Sequence, residues 1–411
     1  MKTTLFLSYV CVLQISLCHI KNYTGYKLYH VKPSVNQYEK LKHLNEEEGY
    51  DFWTQYHDRS IEILVAPFKQ REFQSLLDKL GVEAELKVED LYKHFVKVQM
   101  AEKKKQRSEP GMSPFDQYLD YQQMCNYTQS LQEKYPGIIN VSSFGKSYEG
   151  RDLQVVRVTR CKNHCPVMLI EAGTHAREWI GPATALYIIH QLVENNTNNN
   201  LVNGLDWRII FLLNPDGYEY SRNHDHVWRK TRSKQENGCF GVDGNRNYDI
   251  HWAEVGAVTT KPCSSTYPGH EPFSENETRA LKNYVLGLKG KAKFYLSLHS
   301  YGNYILLPWG YTSEKPDDIE LLKDLAEIVG DSFSKNNTYF IGSPPELLYA
   351  AGGSSQDYMK AVLDIKYSFT MELTKTEWGF FIPSTHILSI MPEVYIAISE
   401  FAKGMLNTYP N

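Results

Sequence analysis

The chain has 411 residues, 42% hydrophobic and 22% charged, with a formal net charge of −4. That composition builds a core, which excludes an intrinsically disordered chain, and the length allows two domains. The mild acidity argues against nucleic acid as the main partner, because phosphate binding needs a basic surface.

Met1 and Lys2 precede a mostly apolar run over 5–17 that ends in Ser16-Leu17-Cys18. The run is shorter than the ~20 residues of a spanning helix. It is predicted to be a secretory signal cleaved near residue 18, so the mature protein is expected outside the cell and not in a membrane. Sequons at Asn22, Asn126, Asn140, Asn195, Asn276 and Asn336 agree with that route. Cys11 and Cys18 leave with the signal. Of the remaining cysteines, Cys161 and Cys165 are spaced to close a short loop and Cys239 and Cys263 a longer one, and an odd thiol is left over.

A small α+β unit is predicted next. Strands are expected over 26–31, 52–53 and 60–65, a polar helix over 34–48, and an amphipathic helix over 68–80 stopped by Gly81. A closing strand is expected over 94–98. The order βαββαβ describes a ferredoxin-like domain. Glu102-Lys103-Lys104-Lys105-Gln106-Arg107 and Pro110-Gly111 then read as an exposed, flexible connector. A basic joint between a small secreted domain and a larger one predicts activation by a trypsin-like protease near Arg107. The boundaries are therefore a signal over 1–18, a segment over 19–107 and a large domain over 108–411.

The large domain alternates strand and helix. Buried strands are predicted over 153–158, 167–172, 207–213, 294–298, 304–307 and 367–373, and helices over 179–192, 274–286 and 317–334, the second opened by a Ser274…Glu277 capping box. This predicts an α/β domain: a mixed, mainly parallel sheet covered by helices on both faces.

His-x-x-Glu, a spacing that can supply two zinc ligands, occurs three times: His43/Glu46, His175/Glu178 and His251/Glu254. The first lies in a polar helix and the last in a polar stretch with no strand before it. His175 instead follows a buried strand through Gly173-Thr174, at the end where open α/β sheets place ligands. His299 ends a second strand and can furnish the third ligand a catalytic zinc needs. Glu372 emerges from a third strand, and a carboxylate there needs a partner or a task. Arg229 and Arg246 offer bidentate donors suited to a free chain end.

Taken together and in order, Thr174-His175-Ala176-Arg177-Glu178-Trp179, Asn214-Pro215-Asp216-Gly217, Trp228-Arg229-Lys230, Gly244-Asn245-Arg246-Asn247, Leu298-His299-Ser300-Tyr301 and Phe369-Thr370-Met371-Glu372-Leu373 closely resemble the digestive zinc metallocarboxypeptidases of the A/B type. The small domain resembles that family's activation segment. The resemblance implies an eight-stranded mixed sheet and one zinc ion on His175, Glu178 and His299. It implies Glu372 as general base and Arg229 as oxyanion stabiliser. Asn245, Arg246 and Tyr349 would clamp the substrate carboxylate, Arg177 would be an auxiliary contact, and Cys239 would pair with Cys263. It implies peptide substrates with a free C-terminus, an activating protease, proteinaceous inhibitors as partners, and a monomer.

The stretch after Glu372, Leu-Thr-Lys-Thr-Glu-Trp-Gly379, departs from the vertebrate pattern and puts the nearby loop in question. At the floor of the specificity pocket the ungapped match places Gln356, and a shift of one places Ser355. Neither is acidic. With Gly310 at the mouth and Leu306 and Thr370 in the wall, the expectation is an aliphatic or aromatic C-terminal residue. The alternatives are a Gln or Glu preference, or a binding protein without catalysis on the same fold. A processing-type relative would carry a further C-terminal β-domain, and the short stretch after the last helix counts against that reading.

Overall fold

The computed structural model describes residues 21–410 apart from 57, 109–112, 163 and 336. The predicted signal and the sequon at Asn336 lie outside the described residues. The small domain runs β1 (Lys27–Lys32), α1 (Val35–Leu41), β2 (Tyr50–Gln55), β3 (Ile61–Val65), α2 (Gln70–Leu80) and β4 (Glu83–Val88). Its sheet has the order β2-β3-β1-β4 with antiparallel neighbours. Ser34 caps α1 reciprocally with Gln37, and Gly81 ends α2 in the left-handed region at φ 62°. Val31, Leu41, Ile63, Phe73 and Leu77 fill the space between sheet and helices.

The βαββαβ order holds, but the closing strand is Glu83–Val88, not 94–98. β4 is an edge strand exposed along almost its whole length, and its signal is the period-2 alternation of Glu83, Glu85 and Lys87 with Ala84, Leu86 and Val88. Residues 94–98 lie in α3 (Leu91–Ser108). Leu91, Phe95 and Val98 in its first half are buried, spaced i, i+4, i+7 as one helical face requires. The backbone stays helical through Ser108, so the basic stretch is the end of a helix up to that point, not an irregular connector.

The large domain continues with α4 (Tyr121–Lys134), β5 (Ile139–Lys146), β6 (Asp152–Val158), β7 (Val167–Ala172), α5 (Ile180–Glu194), α6 (Asn199–Gly204), β8 (Asp206–Ile210) and α7 (Pro215–Asn223). After a long irregular stretch come α8 (Asn276–Leu286), β9 (Ala292–Ser300), β10 (Tyr304–Leu306), α9 (Ile319–Asp331), β11 (Phe340–Gly342), α10 (Pro344–Leu347), α11 (Ser355–Ala361), β12 (Tyr367–Leu373) and α12 (Ile387–Thr408). The eight-stranded sheet has the order β11-β10-β12-β9-β7-β8-β6-β5. Its centre, β12-β9-β7-β8, is parallel. Alternate residues of β7 serve opposite faces: Met168 and Ile170 pack with α5, α9 and α12, while Val167 and Leu169 pack with α8 and α11. No helix among the described residues is long and apolar enough to cross a membrane.

The predicted capping box at Ser274 does not form. Glu275 is the N-cap of α8, Ser274 Oγ accepts from Asn247 Nδ2 at 2.9 Å, and Glu277 Oε1 accepts from the Tyr148 amide at 3.0 Å. Tertiary partners have taken both side chains. Cys161–Cys165 and Cys239–Cys263 are disulfides, and Cys125 is a buried thiol outside both.

The small domain lies over the C-terminal edge of the large sheet. Trp53 packs edge-on against Phe381 and beside Phe380, and Phe95 meets Phe381 at 4.5 Å between centroids. Asp51 accepts from Arg177 at 2.6 Å. Buried Glu62 accepts from Tyr56 at 2.9 Å and from Tyr301 of the large domain.

Candidate active site

Parallel register brings the site together. Ala172, last in β7, stands opposite Leu298 of β9, and Glu372 of β12 stands opposite His299. The chain leaving β7 is then tied down by Asn214. Its Nδ2 donates to the Thr174 and Lys230 carbonyls, both at 3.1 Å, while its Oδ1 caps α7. The Ala176 amide donates to the Arg229 carbonyl at 2.9 Å. A Cβ at Gly217 would sit 2.6 Å from the Lys230 carbonyl oxygen, so only glycine lets these two loops approach.

His175, Glu178 and His299 converge and are buried. His175 Nδ1 is 2.8 Å from Glu178 Oε1 and 3.1 Å from His299 Nδ1, and His299 Nδ1 is 3.1 Å from Glu178 Oε2. His175 Nε2 lies 3.0 Å from Asp243 Oδ1. A carboxylate thus faces each ring nitrogen, and a neutral imidazole that donates to Asp243 from Nε2 turns its Nδ1 lone pair toward Glu178. A cation removes that repulsion. Ligand atoms ~2.1 Å from a tetrahedral zinc lie ~3.4 Å apart, close to the separations here, so the residues fit the metal. Among the described residues the other two His-x-x-Glu pairs gather no third ligand. His43 is exposed near Glu47, and exposed His251 holds Glu254 at 2.7 Å and stacks on Tyr311.

Asp243 is the group that sequence reasoning missed. It is fully buried, and its other oxygen accepts from Arg229 Nε at 3.2 Å and Nη2 at 3.0 Å. Burial alone would raise its carboxyl, but Arg229 and His175 overcome that and hold it well below the ordinary range. It orients a candidate ligand and the arginine together. The only signal was its place before Gly244-Asn245-Arg246, where an aspartate reads as a turn residue.

Arg229, Asn245, Arg246, Tyr349, Gly310, Leu306, Thr370, Gln356 and Glu372 line one cleft with His175 and Glu178. Arg246 Nε donates to the Gly256 carbonyl, Nη1 to that of Asn245 and Nη2 to Tyr349 Oη, which leaves one N–H on each terminal nitrogen for a ligand. Asn245 Oδ1 accepts from the Ser355 amide at 2.9 Å, so its Nδ2 remains for the cleft. Gln356, not Ser355, lines the cleft, and its Nε2 is buried without a partner. Burial pushes the Glu372 carboxyl up to about 7, with His299 and Arg229 opposing and Glu178 adding to the rise.

Arg177 stands apart. It does not line the cleft, and its guanidinium is spent on Asp51 and on the Phe380 ring, 4.3 Å from the centroid. In the full-length chain the small domain has its charge. Trp53, Thr54 and Gln55 of β2 line the cleft from above.

Residues 124–396 match the zinc carboxypeptidase family, and residues 29–96 match the carboxypeptidase activation peptide. The chain belongs to the zinc carboxypeptidase family. It is 38% identical to carboxypeptidase B of Astacus astacus over 71% of this chain and 98% of that protein. It is 35% identical to zinc carboxypeptidase A 1 of Drosophila melanogaster over 92% of each. The crystal structure of carboxypeptidase A from Helicoverpa armigera superposes with a TM-score of 0.87 at 28% identity, over 95% of this chain and 99% of that one. This zinc carboxypeptidase is thus a zymogen that carries its activation peptide, and its His175-Glu178-His299 cluster fits the family's metal.

Proposed function

We propose that the protein is secreted, is cut near Arg107 by a trypsin-like protease, and as residues 108–411 acts as a monomeric exopeptidase that removes one C-terminal residue at a time. The observation that carries this is the cleft itself, which Asn245, Arg246 and Tyr349 line together with His175 and Glu178 of the metal cluster. His175, Glu178 and His299 would hold the zinc, which when bound would supply a Lewis acid able to acidify water and polarise the scissile carbonyl. Arg246, with Asn245 and Tyr349, holds the terminal carboxylate, so an internal peptide finds no purchase. Glu372 takes the proton of the attacking water and returns it to the leaving amine. Arg229, fixed by Asp243, donates to the oxyanion as it develops. Arg177 becomes an auxiliary contact once Asp51 has left.

The pocket beyond the clamp is read as neutral. A C-terminal Lys or Arg would be buried without a counter-charge. The nearby acid, Asp357, does not line the cleft and accepts the Gly310 amide on both oxygens, at 3.0 and 2.9 Å. Leu306 and Thr370 favour aliphatic and aromatic residues. The unpaired Gln356 Nε2 favours a second reading, a C-terminal Gln, Asn or Glu whose side-chain oxygen would accept from it. Peptides that differ only in a final Phe, Leu, Gln, Glu or Lys decide between them. Fastest release of Phe or Leu supports the apolar pocket, and fastest release of Gln or Glu supports recognition by Gln356. Fastest release of Lys would sink the neutral pocket altogether.

A further inference from the structure

Glu171 is a fully buried acid near the end of β7, four residues before His175 of the candidate metal cluster. Three hydroxyls surround its carboxyl. Thr174 Oγ1 donates at 3.0 and 3.2 Å to its two oxygens, Tyr295 Oη donates at 3.2 Å, and Ser297 Oγ donates as well. Among the described residues no lysine, arginine or histidine pairs with it.

Three hydroxyl neighbours can solvate an ionised carboxylate by donating to it. A buried charge with no cation beside it is unfavourable unless its balance lies elsewhere. The sequence and the register say where. Thr174 immediately precedes His175. Ser297 stands opposite Glu171 across the β7–β9 pair, and His299 follows two residues later on the same side of the strand, ~7 Å further on. Glu171 therefore grips the segments that carry both histidines, next to a site that two neutral imidazoles and one carboxylate would leave at net +1 with zinc bound.

We propose that Glu171 is the buried counter-charge of the metal site and a positioning residue for His175 and His299, an inference that rests on the zinc assignment above. Asp243 acts on the cluster through a direct hydrogen bond to His175, whereas Glu171 acts through hydroxyls and through charge.

The test uses the full-length chain. Glu171→Gln keeps the shape and one acceptor oxygen but removes the charge. Zinc affinity is measured by chelator competition, and melting midpoints are taken with and without zinc. The expected result is zinc binding weaker by about 10-fold or more, a metal-free midpoint equal to or above that of the parent, and a lower midpoint with zinc. A role limited to holding hydroxyls would lower both midpoints and leave zinc affinity within about twofold, and that result overturns the proposal. If Glu171→Gln does not fold, Ser297→Ala and Thr174→Val each remove one hydroxyl and keep the charge. Zinc affinity within a few-fold of the parent in both supports the charge, and a loss as large as that expected for Glu171→Gln refutes it. The unmodified chain is the control: if it binds no zinc at all, the zinc assignment fails, and not merely the role of Glu171.

Discussion

Glu372→Gln is expected to keep its zinc and its fold and to lose about 10²- to 10⁴-fold in turnover, the range that general acid–base catalysis contributes. The residue lies on β12 beside His299, yet it is not one of the three converging ligand atoms, so its loss leaves the metal cluster complete. Gln is isosteric and cannot accept the proton. The loss should therefore appear in kcat with little change in KM. His299→Ala removes a ligand atom and should instead fail to retain metal. Metal analysis of both variants, after trimming, separates the roles. Zinc loss in Glu372→Gln, or turnover close to that of the parent, would overturn the assignment of Glu372 as base.

The intact chain is expected to be slower than the trimmed enzyme by roughly 10- to 10³-fold, as follows if the small domain lifts away in ~0.1–10% of molecules. Trp53, Thr54 and Gln55 roof the cleft, Asp51 occupies Arg177, and Tyr301 is bonded to Glu62. Leu91 and Phe95, at the start of α3, belong to the same interdomain core, so the helix is anchored at that end. A protease needs an extended segment. Cutting near Arg107 therefore requires the far end of α3 to unwind locally. Trp53→Ala should raise the activity of the uncut protein about tenfold by loosening the roof, and should leave the trimmed enzyme unchanged because Trp53 is no longer part of it. Equal rates for intact and trimmed protein would show that the segment does not inhibit.

The parts of the molecule that could be read in the sequence were those whose burial leaves a period. β7 is a nearly unbroken apolar run, and β9 and β12 set large apolar residues among small polar ones, so their ends, and with them His175, His299 and Glu372, could be placed before any fold was known. β4 carries only a weaker signal, the alternation of Glu83, Glu85 and Lys87 with Ala84, Leu86 and Val88, and as an edge strand it buries almost nothing. Residues 94–98 misled for the opposite reason: a short apolar run inside a helix looks like a strand when its i, i+4, i+7 partners are not counted. Asp243 and Glu171 were invisible for a third reason. Their meaning lies in side chains 68 and 126 residues away, on His175 and Ser297, and a single sequence carries no sign of such pairings. Arg177 was legible as a charge near the site, but its capture by Asp51 depends on how the two domains sit together.

The most direct measurement uses one peptide made twice, with a free C-terminal carboxylate and with a C-terminal amide, and follows both by mass spectrometry with trimmed protein, with and without a zinc chelator. The account predicts stepwise loss of single residues from the free acid alone, abolished by the chelator and restored by added zinc. Equal cleavage of the amide, cuts inside the chain, or activity indifferent to the chelator would contradict it.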